Sequence, residues 1–160
     1  MKAHQSAIGK TDVWLTPRWL LEPLGRFDLD PAASIDQPWP TADHHYTEVL
    51  DGLAQSWFGR VWLNPPFNRY QRGTWMRRMA EHGNGIMLVP AACETEAFRR
   101  YVFGAADGLL MLSRRPHFCD QQGVEAKANS GCTICLVAYG ESNGQVLRES
   151  GLGIYLKEAA

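Results

Sequence analysis

Gly59-Arg60-Val61-Trp62-Leu63-Asn64-Pro65-Pro66-Phe67 is the stretch on which the fold and the chemistry both turn. Val61-Trp62-Leu63 is apolar at consecutive positions, as in a strand buried on both faces, and it runs without a spacer into Asn64-Pro65. The two prolines stop the strand, fix φ and carry no N–H, so the backbone presents carbonyl oxygens without competing donors. Asn64 adds a side-chain carbonyl, and Phe67 adds a flat ring face. This is a clamp suited to a planar amine. An aromatic NH2 group keeps its nitrogen lone pair conjugated with the ring, so attack on an electrophile needs both hydrogens drawn toward acceptors. The pattern points to methyl transfer onto an exocyclic amine, with Asn64, Pro65, Pro66 and Phe67 as the catalytic residues. Read without that chemistry, Asn-Pro-Pro is an extended turn that ends a strand.

Outward from the clamp, strand-like and helix-like patterns alternate. Thr16-Pro17 reads as a helix start, with Thr16 as N-cap and Pro17 at the first helical position, leading to a helix that Pro23 and Gly25 end. Phe27-Asp28-Leu29-Asp30 reads as a short strand closed by Pro31. A proline-rich connection follows, with His44-His45 as a loop pair. After the clamp, residues 70–83 have helical spacing through Trp75, Met76 and Met79. Residues 85–90 (Gly-Ile-Met-Leu-Val-Pro) form a continuous apolar run typical of a strand covered on both sides. A second helix is predicted over 94–104 and strands over 108–113 and 132–139, with a possible short last element at 152–156. Alternating strands and helices imply an α/β fold with a mostly parallel sheet covered on both faces. The last two long strands have no helical pattern between them and are expected to pair antiparallel. Ligands of such sheets bind beyond the carboxyl ends of the strands, where strand order reverses. Asp30-Pro31 and Asn64-Pro65 both fall on that edge.

The chain of 160 residues is read as one domain, residues 1–160, with 1–11 expected to be flexible; 45% hydrophobic residues and six Trp are enough for a packed core. A formal charge of −1 excludes a generally basic nucleic-acid binder, so any DNA contact must be local. Arg69, Arg72, Arg77, Arg78, Arg114 and Arg115 follow the clamp and supply such a patch, whereas the acidic residues Asp12, Glu22, Asp28, Asp30, Asp36, Asp43, Glu48 and Asp51 precede it. The same arginines also suit a solvated helix face. Arg114-Arg115-Pro116-His117-Phe118 reads either as a groove-contacting loop or as a strand-end turn with Phe118 in the core. Cys132-x-x-Cys135 lies in a strand-like run, which places the thiols on opposite faces, so no metal site is expected. The chain shows neither a signal-peptide pattern nor a membrane span, and a cytoplasmic location is expected.

With these residues in place, the chain resembles the phage-type DNA adenine-N6 methyltransferases of the Dam family. The resemblance is carried by Asp12-Val13-Trp14-Leu15-Thr16-Pro17, Phe27-Asp28-Leu29-Asp30-Pro31-Ala32-Ala33-Ser34, Asp51-Gly52-Leu53 with Trp57, residues 59–67, Leu88-Val89-Pro90-Ala91 and Val137-Ala138-Tyr139-Gly140. It implies a Rossmann-like methyltransferase fold and S-adenosylmethionine as cofactor. It also implies cofactor contacts at Trp14, Thr16, Pro17, Asp30, Pro31, Ala32, Asp51 and Asn64. Thr16-Pro17 would line the methionine end, Asp30 would accept from the cofactor ammonium, and Asp51 from its adenine amine. The turn Pro31-Ala32-Ala33-Ser34 departs from the wider class in having no Gly-x-Gly, and a cofactor without a diphosphate needs less backbone cradling. The implied reaction moves a methyl group to the N6 amine of an adenine turned out of the duplex and stacked on Phe67. The implied setting is a bacterial cell, with a phage or prophage gene. The same clamp fits other planar amides, so methylation of RNA or of a protein glutamine is a rival reading. A non-catalytic DNA-binding regulator of the same fold is another.

Overall fold

The computed structural model describes residues 14–156. The expected flexible stretch 1–11, together with Asp12 and Val13 of the first matching motif, lies outside the described residues. The chain builds one seven-stranded sheet in the order β2-β1-β3-β4-β6-β5-β7. The strands are β1 (Leu29–Asp30), β2 (His44–His45), β3 (Val61–Leu63), β4 (Gly85–Pro90), β5 (Gly108–Leu112), β6 (Ile134–Tyr139) and β7 (Gly153–Leu156). The sheet is parallel from β2 to β4 and antiparallel from β6 outward. The expected antiparallel pairing of the last two long strands is present, with Leu110 opposite Leu136, and β7 extends it on the far side of β5.

Alternation along β4 explains its unbroken apolar sequence. Met87 and Val89 join Leu63, Trp75, Met76, Met79 and Phe98 in one core layer. Ile86 and Leu88 join Trp62, Leu20, Leu24, Phe27, Leu136 and Leu147 in the other. A strand buried on both sides carries no polar period, so the sequence reads as continuous.

The helices differ from expectation in instructive ways. Helix α1 (Arg18–Leu21) passes into a 3-10 turn, Glu22–Leu24, and stops at Gly25. Its cap position is Pro17, not Thr16, and no side chain caps it; the Thr16 hydroxyl is engaged by Asn64 instead. Helix α2 (Arg69–His82) opens on Asn68, whose Oδ1 accepts from the Tyr70 N–H, and closes on Gly83 in the left-handed region at φ 72°. The predicted helix over 94–104 is shorter: Thr95 caps α3 (Glu96–Phe98), which continues as a π turn, Arg99–Phe103. Helix α4 (Glu141–Glu149) was not predicted.

Two connections contradict strict helix–strand alternation. The links from β1 to β2 and from β2 to β3 contain turns and no helix. Pro31, Pro38 and Pro40 interrupt the first, and Asp51, at φ 50°, and Gly59, at φ 62°, bend the second. His44-His45 is a strand rather than a loop pair, because the His44 and Tyr46 N–H groups donate to the Asp28 and Asp30 carbonyls. Cys132 lies before β6, and Cys135 is buried in it with its thiol donating to the Val89 carbonyl. Among the described residues, no group of three or more His, Cys, Asp or Glu is placed to hold a metal ion, and no helix is long and apolar enough to cross a membrane.

Candidate active site

β1 and β3 are parallel neighbours with Leu29 opposite Val61, so the turns Asp30-Pro31 and Asn64-Pro65 open on one edge of the sheet. Strand order reverses at this point: β2 lies on one side of β1 and β3 on the other.

Asn64 is held firmly. Its Nδ2 donates to the Trp14 carbonyl and to the Thr16 hydroxyl, both at 3.1 Å. A main-chain carbonyl only accepts, so the Trp14 contact fixes which end of the amide is which. Both amide hydrogens are engaged, and among the described residues no donor reaches Oδ1. The segment that holds Asn64 is itself anchored: Leu15 and Cys119 exchange backbone hydrogen bonds of 2.8 and 2.9 Å. Pro65 is buried and Pro66 exposed. Phe67 is half-buried, with the ring of Phe118 edge-on at 5.7 Å. Phe118 is therefore core, and the reading of it as a groove-contacting residue is set aside. Asn68 follows Phe67 as the N-cap of α2, so the clamp lies between the end of β3 and the start of a helix.

The second strand end is a buried carboxylate. Asp30 exposes 4% of its surface; it accepts from the Ala32 N–H at 3.0 Å and from the Thr41 hydroxyl. Burial pushes its pKa up to about 6, and the two hydrogen bonds pull against that rise. Neighbouring backbone closes around it, with Tyr46 N–H donating to the Asp30 carbonyl and Ala33 N–H to the Tyr46 carbonyl.

Asp51 reaches this turn through its neighbour. A Cβ on Gly52 would sit 1.8 Å from the Pro31 carbonyl oxygen, so only glycine permits this approach of the two loops. The buried Trp57 pins the arrangement, its Nε1–H donating to the Gly52 carbonyl at 2.7 Å. The exposed Asp51 uses Oδ1 to accept from the Leu53 N–H at 3.3 Å. The structure thus brings Trp14, Thr16 and Asn64 together, and separately Asp30, Pro31, Ala32 and the Asp51-Gly52 loop, on the edge shared by β1 and β3.

The arginines do not form one patch. Arg77 pairs with Glu81 one helical turn on, at 3.7 Å. Arg78 donates to the Gln55 carbonyl at 3.1 Å and lies over the Trp57 ring. Arg69 donates to the Tyr70 hydroxyl at 2.7 Å and lies over that ring. Arg114 stacks on Trp19 with its guanidinium carbon 3.7 Å from the ring centroid. Arg72 and Arg115 both act on Cys132: burial pushes its thiol up, and these two cations pull against that rise. Both Cys132 and Phe67 pack against the same core layer.

Several residues of this site had no signal in the sequence. Thr41 bonds Asp30 from eleven positions away, and Cys119 anchors Leu15 from the opposite half of the chain. Gly52 was visible only as part of an Asp-Gly turn.

Fold and site together define a mixed α/β protein with an oriented asparagine, Asn64, after one strand and a buried carboxylate, Asp30, at the end of its neighbour, where strand order reverses. Residues 4–145 match the family model for DNA N-6-adenine-methyltransferase (Dam), and the chain belongs to that family. Membership supports DNA adenine methyltransferase activity, with DNA as the substrate. Neither the curated proteins nor the solved structures contain a match to the chain.

Proposed function

We propose that the protein transfers a methyl group from S-adenosylmethionine to the N6 amine of an adenine turned out of duplex DNA, as a single Rossmann-like methyltransferase domain. The observation that carries this reading is the orientation of Asn64. With Nδ2 bonded to Trp14 and Thr16, Oδ1 is the end left to accept an amine hydrogen. The Pro65 carbonyl accepts the second hydrogen, and Phe67 stacks on the base.

The residues present fit the cofactor. A carboxylate buried with only neutral hydrogen-bond partners is matched by an ammonium group, which offsets the cost of burying its charge. Asp30 would hold that group, with Pro31 and Ala32 as the turn beneath it and Asp51 reaching the adenine amine. S-adenosylmethionine supplies an electrophilic sulfonium methyl. Asn64 and Pro65 orient the amine and stabilise the positive charge that grows on it, and Pro66 keeps the loop from relaxing. Arg72 and Arg115, which both act on Cys132 and make no ion pair among the described residues, are the cations that would hold backbone phosphates. The parallel half of the sheet, with antiparallel β6 inserted beside β4, supports the Rossmann-like assignment.

Incubation of the purified protein with methyl-labelled S-adenosylmethionine and DNA, RNA or protein, followed by digestion, tests the reading. Label in N6-methyl-2′-deoxyadenosine from DNA is expected. Label confined to RNA or to glutamine amides would transfer the clamp to that substrate. DNA binding without any transfer would leave a non-catalytic regulator.

A further inference from the structure

We propose that Tyr70 is a stacking platform for a base bordering the methylated adenine, so that the DNA-binding surface extends from the clamp onto the first turn of α2. The inference deepens the proposed function and rests on the substrate being DNA held at Asn64 and Phe67.

Helix α2 buries Trp75, Met76 and Met79. With about 100° between successive residues, positions 70, 74, 77 and 81 fall on the opposite stripe. Thr74, Arg77 and Glu81 are exposed there, as a solvent stripe requires, and Tyr70 shares the stripe with them. Tyr70 exposes 77% of its surface, more than any other aromatic residue among those described. The two other exposed aromatics each lean on a ring, Phe58 on His44 and Phe103 on Phe98. Tyr70 has only the Arg69 guanidinium over it.

A single exposed aromatic is commonplace on protein surfaces; the place of this one in the fold is what gives it meaning. Helix α2 runs back alongside β3, since its last residue, His82, donates from Nε2 to the carbonyl of Gly59, just before β3 begins, at 2.9 Å. The first turn therefore stands at the opposite end of β3, on the sheet edge where the clamp opens. Phe67 and Tyr70 are three residues apart, at most about 11 Å of extended backbone. Successive positions along a DNA strand are about 3.4 Å apart, so a base bordering the one held at Phe67 lies within reach of the Tyr70 ring. Turning the target adenine out of the duplex strips a stacking partner from each of its neighbours. A ring at the mouth of the clamp replaces one of those partners.

The side chain is prepared for that contact. Asn68 Oδ1 accepts from the Tyr70 N–H at 2.9 Å and fixes the backbone beneath the ring. Arg69 lies with its guanidinium carbon 4.8 Å from the ring centroid and donates to the Tyr70 hydroxyl at 2.7 Å. These contacts orient the ring and leave most of its surface to solvent. They also set a cation beside it, where the phosphate of a stacked nucleotide needs a counter-charge. An aromatic face with an adjoining arginine holds unstacked bases without reading their identity.

Tyr70→Ala should weaken binding to a duplex oligonucleotide that the wild type methylates by about 5- to 100-fold, the range for removing one base–aromatic stack. The loss should appear in KM for DNA more than in kcat, and affinity for S-adenosylmethionine, measured by calorimetry, should not change. Because the lost group is neutral, the slope of log affinity against log salt should match that of the wild type. Tyr70→Phe keeps the ring and should bind DNA as the wild type does. Tyr70→Leu keeps apolar bulk without a flat face and should behave like Tyr70→Ala. All three variants should melt at the wild-type temperature, since the side chain is exposed and its backbone bond to Asn68 is unaffected.

Undiminished DNA affinity in Tyr70→Ala would overturn the assignment. So would a shallower salt slope, which would make the tyrosine a support for Arg69, or a full loss in Tyr70→Phe, which would assign the effect to the hydroxyl. Failure of the underlying reading looks different: the wild-type protein itself would transfer no label to DNA adenine.

Discussion

Replacing Asp30 with asparagine should make the ligand-free protein more stable at neutral pH while weakening its hold on the cofactor. The carboxyl rises from an ordinary 3.8 to about 6, chiefly because it is buried. Such a rise corresponds to roughly 3 kcal/mol of folding free energy. The folded state binds this proton more tightly than the unfolded chain does. The stability it confers is therefore fully present below pH 3.8 and is lost as pH rises through about 6. Asparagine has no charge to desolvate. It keeps the bond from the Ala32 N–H, and its NH2 donates to Thr41, whose hydroxyl can accept as well as donate. Thermal melts of the two proteins between pH 4 and pH 8 should nearly coincide at the acid end and separate as pH rises. At pH 8 the variant should melt higher by about 6–12 °C, given about 2–4 °C per kcal/mol for a domain of this size. Calorimetry should show weaker binding of S-adenosylmethionine to the variant. Wild-type affinity should also fall below pH 6 by up to about tenfold per pH unit, as the carboxylate takes up its proton. A wild type that stays the more stable at pH 8, or a gap that does not change with pH, would refute the reasoning about Asp30.

Asn64→Ala should lower kcat by about 100- to 1000-fold, the usual loss when one preorganised polar group leaves an active site, with cofactor affinity retained; single-turnover methylation measures both. Gly52→Ala forces a Cβ onto the Pro31 carbonyl. Overpacking should destabilise by about 1–3 kcal/mol, read as a fall in Tm with weaker cofactor binding. Arg72→Ala and Arg115→Ala should each reduce by about 1 the slope of log affinity for DNA against log salt. Arg77→Ala, which breaks only an exposed pair with Glu81, should leave that slope unchanged.

What the sequence disclosed was the part of the structure whose causes are local. The runs in β4 and β6 are apolar because both of their faces are covered, and α2 carries its own start and stop in Asn68 and Gly83. The adjacency of Asn64 to a strand end is written in four consecutive residues. What stayed hidden depends on partners far along the chain. Helix α4 contains Gly144 and Asn143, poor helix formers in isolation. Asn143 is buried because it accepts from Arg60, 83 positions away, and donates to Asn84 and the Tyr139 carbonyl. Thr16 looked like a cap because nothing nearby reveals the amide that claims it. Arg78 looked like a phosphate contact because its tie to Gln55 and Trp57 crosses between a helix and a loop. The two helix-free connections were obscured by a different cause: alternation is the common solution for such sheets, and short strands such as β1 and β2 can be joined by turns.

The bracing of position 64 by residues 14 and 16, and of residue 15 by residue 119, orders the events of synthesis. A nascent chain on the ribosome presents the Asn-Pro-Pro-Phe string long before residue 119 emerges, and contacts of such long span form late in folding. A truncated product ending between positions 67 and 118 would carry the string together with Trp14 and Thr16, but the segment that holds them would lack its tie to Cys119. The clamp is thus completed from both ends of the chain, not from its own neighbourhood.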